Sequence, residues 1–241
     1  MRLDKYLANA GTFGSRKDVK VRLRKKVVTV NDEVVTDGST HINPAQDIVK
    51  VENQIVAYEQ YIYVMLHKPP GYISATEDGY HKTVIDLLPA KLQHFAPFPV
   101  GRLDIDTEGL LLLTNDGKLA HQLTSPKKNV EKKYVAKIEG VVTQEDVKSF
   151  AKGVKLDDGY ETRPAKLTIN SAGTVSEIEV TITEGKFHQV KRMFLAVGKK
   201  VIYLKRVSMG KIELDPNLRL GEHRPLTEEE YQYCQSLFDR R

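Results

Sequence analysis

The sequence predicts an α+β protein in two parts, a small N-terminal α/β unit at residues 1–57 and a larger domain at residues 58–241. The first observation behind this division is charge, because residues 1–26 hold nine Lys or Arg and two Asp while the remaining chain is almost neutral overall. The second is the run of β segments that follows the connecting stretch AYEQY at 57–61. Because few helices separate those segments, they favour a mostly antiparallel sheet with flanking helices.

The N-terminal unit is predicted to contain two short helices and a β hairpin. Apolar residues have helical spacing in LDKYLAN at 3–9 and in KDVKVRL at 17–23. Ser15 is a typical N-cap for the second helix, since its hydroxyl can accept a hydrogen bond from a free backbone N–H. Asn-Asp at 31–32 separates two β-prone runs and predicts a tight turn, because both residues tolerate positive φ.

The larger domain is predicted from its apolar segments and the turn residues between them. Tandem prolines in HKPPGY predict a turn after the first strand. LLLLT at 110–114 is typical of a strand buried on both faces, and the Asn-Asp-Gly that follows predicts a turn. The predicted strands are 61–66, 110–114, 134–140, 166–170, 177–183 and 200–207, and the predicted helices are 142–153, 188–198 and 227–238.

Two basic segments indicate a polyanionic partner such as nucleic acid. Residues 1–26 have a net charge of +7, and residues 185–212 hold eight Lys or Arg and no acidic residue. The alternative is that these lysines and arginines only form solvated faces. In the N-terminal unit, the basic residues expected to contact phosphates are Arg2, Lys5, Arg16, Lys17, Lys20, Arg24 and Lys25.

Composition argues against membrane binding and secretion. No apolar run approaches the roughly 18 residues that a membrane span requires, and the N-terminus lacks the apolar core of a signal peptide. The single cysteine, Cys234, has no partner for an internal disulfide. We therefore expect a cytoplasmic protein.

The stretch GRLDIDTEG at 101–109 holds three carboxylates, which raises the question of a metal site. A calcium loop counted from Asp104 would need a glutamate at its twelfth position, where Asn115 stands. The histidines are scattered and have no zinc-ligand spacing. A magnesium site stays open as an alternative, because residues two apart on a strand point to the same side, but no metal is expected at this stretch.

The three carboxylates are expected to differ in role. Asp106 and Glu108 have turn composition and lead directly into the buried strand. Asp104 lies where the chain passes from interior to loop and needs a cationic partner, for which Lys191 or Arg192 is expected. A carboxylate held by a cation can act as nucleophile or base, but it also occurs as a structural ion pair. The residues alone leave both possibilities open.

GRLDIDTEGLLLLTNDG resembles the catalytic motif of the pseudouridine synthases that modify ribosomal RNA. LHKPPGYISA, EKKYVAKIEG and TEGKFHQVKRMFLAVGKKV are similar to the other signature segments of this family, in the same order. The N-terminal RLDKYLANAGTFGSRKDVKVRLRKKVVTVND resembles the small RNA-binding domain named after ribosomal protein S-four. One departure is KKVVTVND, where many members have a Gly-Arg pair before the strand and a Gly after the Asn.

The resemblance implies a role for five residues. Asp104 matches the catalytic aspartate, Lys191 the basic residue that pairs with it, and Tyr134 the tyrosine that stacks on the target base. Arg102 matches an arginine that helps to hold the base out of its stack, and Leu204 matches an apolar residue of the pocket. Three of them have an ordinary alternative, since Tyr134 and Leu204 could be core residues and Lys191 a surface lysine.

Two further side chains near this site, His188 and Gln189, are candidates for an acid/base pair. His188 begins the helix at 188–198, and we expect it to cap or anchor that helix rather than to transfer protons.

The resemblance implies that the protein isomerises uridine to pseudouridine in ribosomal RNA, acting on a flipped-out nucleotide. The segments DIDTEG and TSPKKNVEKKYV are most similar to the branch of the family that modifies 16S rRNA. The expected partner is therefore 16S rRNA or a small-subunit assembly intermediate. The enzyme is expected to be a monomer. No cofactor or metal is expected, because the reaction transfers no electron and loses no group. The alternatives are an enzyme acting on 23S rRNA, a non-catalytic RNA-binding assembly factor, and a metal-dependent nuclease or phosphatase.

Overall fold

The computed structural model describes residues 1–10, 16–56 and 58–239, without the side chains of Arg16 and Asp239. The predicted cap Ser15 lies outside the described residues. The chain divides into two compact units, Met1–Ile62 with Leu88–Pro97 and Tyr63–Leu87 with Phe98–Arg241.

The first unit packs short helices on a four-stranded sheet of order β2-β1-β3-β4. Its core includes Leu3 and Leu7 from one helix and Val19 and Leu23 from the next, as their spacing predicts. The predicted hairpin turn is confirmed at Asn31 and Asp32, whose φ values are 52° and 67°. The elements are α1 Leu3–Asn9, α2 Arg16–Arg24, β1 Val28–Val30, β2 Glu33–Val34, β3 Val49–Val51, β4 Gln54–Ile55 and α3 Ala90–Gln93.

The second unit is built on a nine-stranded sheet whose main path is β13-β5-β7-β11-β8-β10-β9, with β12 paired to β11 and β6 to β7. Among the described strands every pairing is antiparallel except that of β7 with β11, so the prediction of a mostly antiparallel sheet is confirmed. The strands are β5 Tyr63–Lys68, β6 Phe98–Pro99, β7 Glu108–Thr114, β8 Lys132–Glu139, β9 Lys166–Ser171, β10 Val175–Ile182, β11 Lys200–Met209, β12 Ile212–Glu213 and β13 His223–Pro225.

In the described part of this unit, four α-helices flank the sheet, α4 Gly117–Thr124, α5 Gln144–Lys152, α6 Gln189–Ala196 and α7 Glu228–Asp239. The sequence predicts the last three of them. It misses α4, because Asn-Asp-Gly is typical of a turn, whereas the Asp116 carboxylate accepts hydrogen bonds from the backbone N–H groups of Lys118 and Leu119 and caps the helix.

Gly109 allows β7 and β11 to approach each other closely in their parallel pairing. Its φ is +111°, and a Cβ built on it would lie 2.1 Å from the Arg206 carbonyl oxygen. The pairing matters for the site because β7 begins at the end of the GRLDIDTEG stretch and β11 carries Leu204.

Gly109→Ala is therefore expected to lower the free energy of unfolding by about 3 kcal/mol or more, since it adds both backbone strain and overlap with another strand. Gly79→Ala is a matched control, because a Cβ there has no atom within 4 Å. Its unfolding free energy should stay within about 0.5 kcal/mol of the parent value in urea denaturation. Equal stability of the two variants would contradict the close approach.

Candidate active site

A cavity of about 740 Å³ opens in the second unit, and four of the five residues to which the resemblance gives a role line it. Arg102 and Asp104 reach it from the loop before β7, Tyr134 from β8 and Leu204 from β11. Residues 185–190, at the start of α6, form a further part of its wall. The fold thus brings together segments that are about 100 residues apart in the sequence.

Asp104 is paired with Lys191 at this cavity. The Lys191 Nζ lies 3.1 Å from Asp104 Oδ2 and 2.6 Å from Asp106 Oδ1. Burial disfavours the charged ammonium, but hydrogen bonds to Asp106 and Asp104 outweigh burial and raise the pKa of Lys191. Lys191 therefore stays protonated at neutral pH and keeps a positive charge beside the Asp104 carboxylate.

The structure decides between the two expected partners of Asp104. Arg192 is wrong as a partner, because its guanidinium pairs with Asp157 and Asp158. Asp106 lies in the predicted turn, yet it also shares Lys191, which the turn interpretation did not include. Glu108 is the first residue of β7 and accepts a 2.9 Å hydrogen bond from the Tyr203 hydroxyl.

His188 differs from its expected capping role. It occupies the N-cap position of α6 with a φ of 48°, and its side chain makes no capping hydrogen bond. Its Nε2 instead lies 3.6 Å from Asp104 Oδ1, and its ring stacks on Phe187 with 3.8 Å between centroids. The imidazole therefore lies beside one oxygen of the Asp104 carboxylate, while Lys191 lies at the other.

Lys68 lies in the family-like segment LHKPPGYISA and holds the loop that carries Asp104, a role that the sequence alone does not indicate. Its side chain is fully buried at the end of β5. The ammonium donates to the carbonyl oxygens of Pro69, Asp104, Ile105 and Thr107 at 3.0, 3.0, 3.3 and 2.9 Å. Burial lowers the pKa of Lys68 to about 8, so the ammonium remains mostly protonated at pH 7.

The segment after Lys68 also supports this loop. The Ser74 hydroxyl donates to the Leu103 carbonyl oxygen at 2.9 Å and accepts from the Leu103 N–H at 3.0 Å. The Gly71 N–H donates to the Ile105 carbonyl oxygen at 2.7 Å. The PPGYIS turn therefore fixes the backbone on both sides of Asp104.

Tyr134 and Leu204 lie on neighbouring strands and line the cavity from one face of the sheet. Alternate residues of β8 are buried, which places Tyr134 on the inner face. Its cross-strand neighbour on β11 is Arg206, and Leu204 lies opposite Ala136. Only 8% of Tyr134 and 6% of Leu204 are exposed, so both are nearly as buried as core residues although they reach the cavity.

Two further cations line the cavity beside Tyr134. Lys132 precedes Tyr134 by two residues on the same face of β8 and is 5% exposed, and Arg206 is 2% exposed. Burial, followed by repulsion from Arg206 and Arg163, lowers the pKa of Lys132 to about 8. Arg206 Nε donates to the Leu110 carbonyl oxygen at 2.8 Å, while its Nη2 is buried without a hydrogen-bond partner among the described residues.

Glu184, the acidic neighbour of Lys132 on the cavity wall, already accepts hydrogen bonds from other residues. Glu184 is 3% exposed. Its carboxylate accepts from the Tyr160 hydroxyl at 2.6 Å, the Arg163 backbone N–H at 2.9 Å and the Gln189 amide at 2.9 Å. Gln189 is thus a structural residue here.

Within the parts of the chain that the structure describes, no cluster of three or more His, Cys, Asp or Glu side chains could hold a metal ion. The same parts contain no helix with both the length and the apolarity to cross a membrane.

In the first unit, the basic residues expected to contact phosphates are on the surface. Lys17, Lys20, Arg24 and Lys25 are exposed along and just after α2, as is Lys5 on α1. Arg2 is also exposed, and its guanidinium pairs with Asp4 at 2.7 Å. The side chain of Arg16 lies outside the described residues. These cations are available to a polyanion from solvent.

Comparison with known proteins identifies the family. The sequence matches the family model described as RNA pseudouridylate synthase over residues 62–196 and that of the S4 domain over residues 1–55, which confirms the S-four-like unit. A Bacillus subtilis protein named as an uncharacterized RNA pseudouridine synthase is 51% identical over 233 residues, covering 95% of this chain and 96% of the relative. Ribosomal small subunit pseudouridine synthase A of Escherichia coli strain K12 is 40% identical over 232 residues, covering 95% and 98%.

A solved structure described as a pseudouridylate synthase is 37% identical and covers 97% of this chain and 99% of its own, with a TM-score of 0.68. The similarity therefore extends over both the S4 domain and the unit that holds the cavity. On these grounds the chain belongs to the RNA pseudouridylate synthase family, whose members isomerise uridine in RNA.

Proposed function

We propose that this enzyme converts one uridine of 16S ribosomal RNA to pseudouridine and that Asp104 is its catalytic carboxylate. The observation that carries the proposal is the pairing of Asp104 with Lys191 at 3.1 Å on the wall of a cavity that also holds Tyr134. A second support is the similarity of nearly the whole chain to proteins named as small-subunit rRNA pseudouridine synthases.

The reaction needs a carboxylate at the junction of ribose and base, because the C1′–N1 bond must break and a C1′–C5 bond must form. Asp104 is suited either to attack C1′ or to remove a proton from the sugar. Its side chain is 23% exposed, so a bound nucleotide can reach it, and Lys191 holds it in place without covering it. Lys68 and Ser74 keep the loop rigid, which preserves the geometry that such a step requires.

The other cavity residues are proposed to hold the nucleotide. The target must leave its stack, which costs a few kcal/mol, and Arg102 offsets part of this cost by occupying the space that the base vacates. Tyr134 stacks on the detached uracil with about 1–3 kcal/mol, and Leu204 closes an apolar side of the pocket. Together they retain the base while it turns.

The S4 domain is proposed to anchor the RNA through its phosphates. Because these contacts do not read bases, selection of the target uridine falls to the cavity and to the fold of the RNA. We further propose that the enzyme works as a monomer in the cytoplasm, with residues 1–57 as the RNA-binding domain and residues 58–241 as the catalytic domain.

The substrate is tested by incubating the protein with 16S rRNA, small-subunit assembly intermediates and 23S rRNA, each in the presence of EDTA. Pseudouridine is then mapped by carbodiimide treatment and reverse transcription. The expected result is one new stop in 16S rRNA, free or assembling, and none in 23S rRNA. A stop in 23S rRNA alone would overturn the small-subunit assignment, and the absence of any stop would favour a non-catalytic RNA-binding factor.

The role of the S4 domain is tested by replacing Lys17, Lys20 and Lys25 with Gln. RNA affinity should fall, and the slope of log K against log salt should become shallower by about 0.7–0.9 for each phosphate that the variant no longer neutralises. Binding is measured by filter retention over a range of potassium chloride concentrations.

The control for this variant replaces three exposed lysines of the second unit, Lys118, Lys148 and Lys152, with Gln. It changes net charge by the same amount, so it corrects for long-range attraction. If the affinity of both triple variants falls equally, the S4 domain has no privileged role in phosphate binding.

A further inference from the structure

We propose that Lys132 and Arg206 form an anion subsite that stabilises the uracil while it carries negative charge between detachment and reattachment. This inference rests on the proposed function, because it concerns the same cavity and the same reaction. It assigns to these two residues a part in the chemistry beyond that of Asp104, Lys191 and Tyr134.

The first support is position. Lys132 and Tyr134 lie two residues apart on one face of β8, and Arg206 is the direct cross-strand neighbour of Tyr134 on β11. All three line the cavity. A base that stacks on Tyr134 therefore lies within reach of both cations, because side chains of directly opposite residues in a sheet are about 5 Å apart at Cβ.

The second support is unbalanced charge. Lys132 and Arg206 are 5% and 2% exposed, and buried cations ordinarily have a paired anion. The acidic neighbour that favours the charged form of Lys132 is Glu184, whose oxygens already accept from Tyr160, Arg163 and Gln189. Arg206 Nη2 has no partner among the described residues. The cavity wall at Lys132 and Arg206 is therefore positively charged, and the Nη2 group of Arg206 is available to donate a hydrogen bond to a ligand.

The reaction supplies an anion at the right moment. When the C1′–N1 bond breaks, both bonding electrons remain on the uracil and spread from N1 to O2 and O4. C1′ is then bonded to an Asp104 oxygen, or the sugar has lost its C2′ proton to Asp104. When C5 attacks C1′, the electron pair of the anion forms the C5–C1′ bond, and either the Asp104–C1′ bond breaks or C2′ takes its proton back from Asp104. The negative charge thus returns to the Asp104 carboxylate. C5 then loses its proton and N1 takes one up, which gives the neutral product base. Uridine itself is neutral, so this subsite is complementary to the transition state rather than to the substrate.

The burial of Lys132 and Arg206 indicates that the anion they bind is the uracil base and not a phosphate of the RNA backbone. The phosphates on either side of a flipped nucleotide remain with the RNA chain, at the mouth of a pocket. Lys132 and Arg206 are almost completely buried, which places them at the end that receives the base.

The test compares Lys132→Met with the wild type on two RNAs that differ only in the target nucleotide, uridine or 5-fluorouridine. Fluorine withdraws electrons and stabilises the departing anion, so that substrate depends less on the enzyme's cations. The single-turnover loss of the target nucleoside is followed by chromatography of digested RNA. Lys132→Met should be slower by about 100-fold on uridine and by less than about 10-fold on 5-fluorouridine.

Three controls separate chemistry from folding and binding. Lys133→Met changes the adjacent lysine, which points to the other face, is 46% exposed and pairs with Glu179 at 3.8 Å, so it should keep wild-type rates. Lys132→Arg retains the charge and should recover the rate to within about 10-fold of the wild type. The melting temperature of Lys132→Met should equal or exceed that of the wild type, since a buried charge is removed; if the variant does not fold, Lys132→Gln replaces it.

Equal loss of rate on the two substrates would overturn the anion subsite, as would unchanged rates of Lys132→Met on uridine. Weaker RNA binding at an unchanged rate of the bound complex would also overturn it and assign Lys132 to a phosphate. A wild type that forms no pseudouridine would overturn the proposed function itself.

Discussion

Asp104→Asn is expected to abolish pseudouridine formation while the protein folds and binds RNA as before. Asparagine keeps the size of the side chain but can neither attack C1′ nor take a proton, so the single-turnover rate should fall by at least about 10³-fold. Stability should change by less than about 1 kcal/mol, because the ion pair with Lys191 is partly exposed. The rate is measured on 16S rRNA, and stability by urea denaturation.

Asp106→Asn provides the matched comparison. It removes the second carboxylate that pairs with Lys191. Asp106 lies two residues after Asp104, and its side chain is 67% exposed. Because Asp106 is proposed only to share the cation, its replacement should slow the reaction by less than about 10-fold. An inactive Asp106→Asn enzyme beside an active Asp104→Asn enzyme would reverse the assignment of the two aspartates.

Lys68→Met is expected to reduce both stability and rate, although Lys68 does not line the cavity. Methionine has a similar length but donates no hydrogen bond, so the carbonyl oxygens of Pro69, Asp104, Ile105 and Thr107 are left without their shared donor. The free energy of unfolding should fall by about 2–4 kcal/mol after the gain from removing a buried charge is subtracted. The rate should fall by about 10²-fold, because the Asp104 loop is no longer supported.

The exposed Lys82 allows a matched control in the same segment, and Lys82→Met should leave both quantities unchanged. Lys68 is a positioning residue, so kcat should fall more than RNA affinity. If Lys68→Met were less stable but kept the full rate of the folded fraction, the support of Asp104 by Lys68 would be contradicted.

The sequence predicts some of these site residues but not others. The GRLD, KKYV and HQVKRM segments predict Asp104, Tyr134 and Lys191 as one site. In the structure Asp104 and Tyr134 line one cavity, and Lys191 pairs with Asp104. Lys68 is not predictable in the same way, because its partners are backbone carbonyls whose positions depend on the folded loop. A lysine at the end of an apolar strand is ordinarily assigned to solvent.

Lys132 and Arg206 are not predicted, for a related reason. The alternation of EKKYVAKIE places Lys132 on the face of Tyr134, but only the sheet order shows that this face is covered. The β7–β11 pairing that brings Arg206 to the cavity joins strands about 100 residues apart, and such pairings leave no local signal. The sequence does not predict helix α4, because an aspartate such as Asp116 is common both in turns and at the N-cap of a helix.

The most direct measurement is tritium release from 16S rRNA labelled at C5 of its uridines. Joining C5 to C1′ forces out the hydrogen on C5. Stoichiometric release from one site is therefore expected with the wild type, and no release above background with Asp104→Asn. Release that proceeds equally with both proteins, or that is absent with both on free and assembling 16S rRNA, would contradict a uridine isomerase that acts through Asp104.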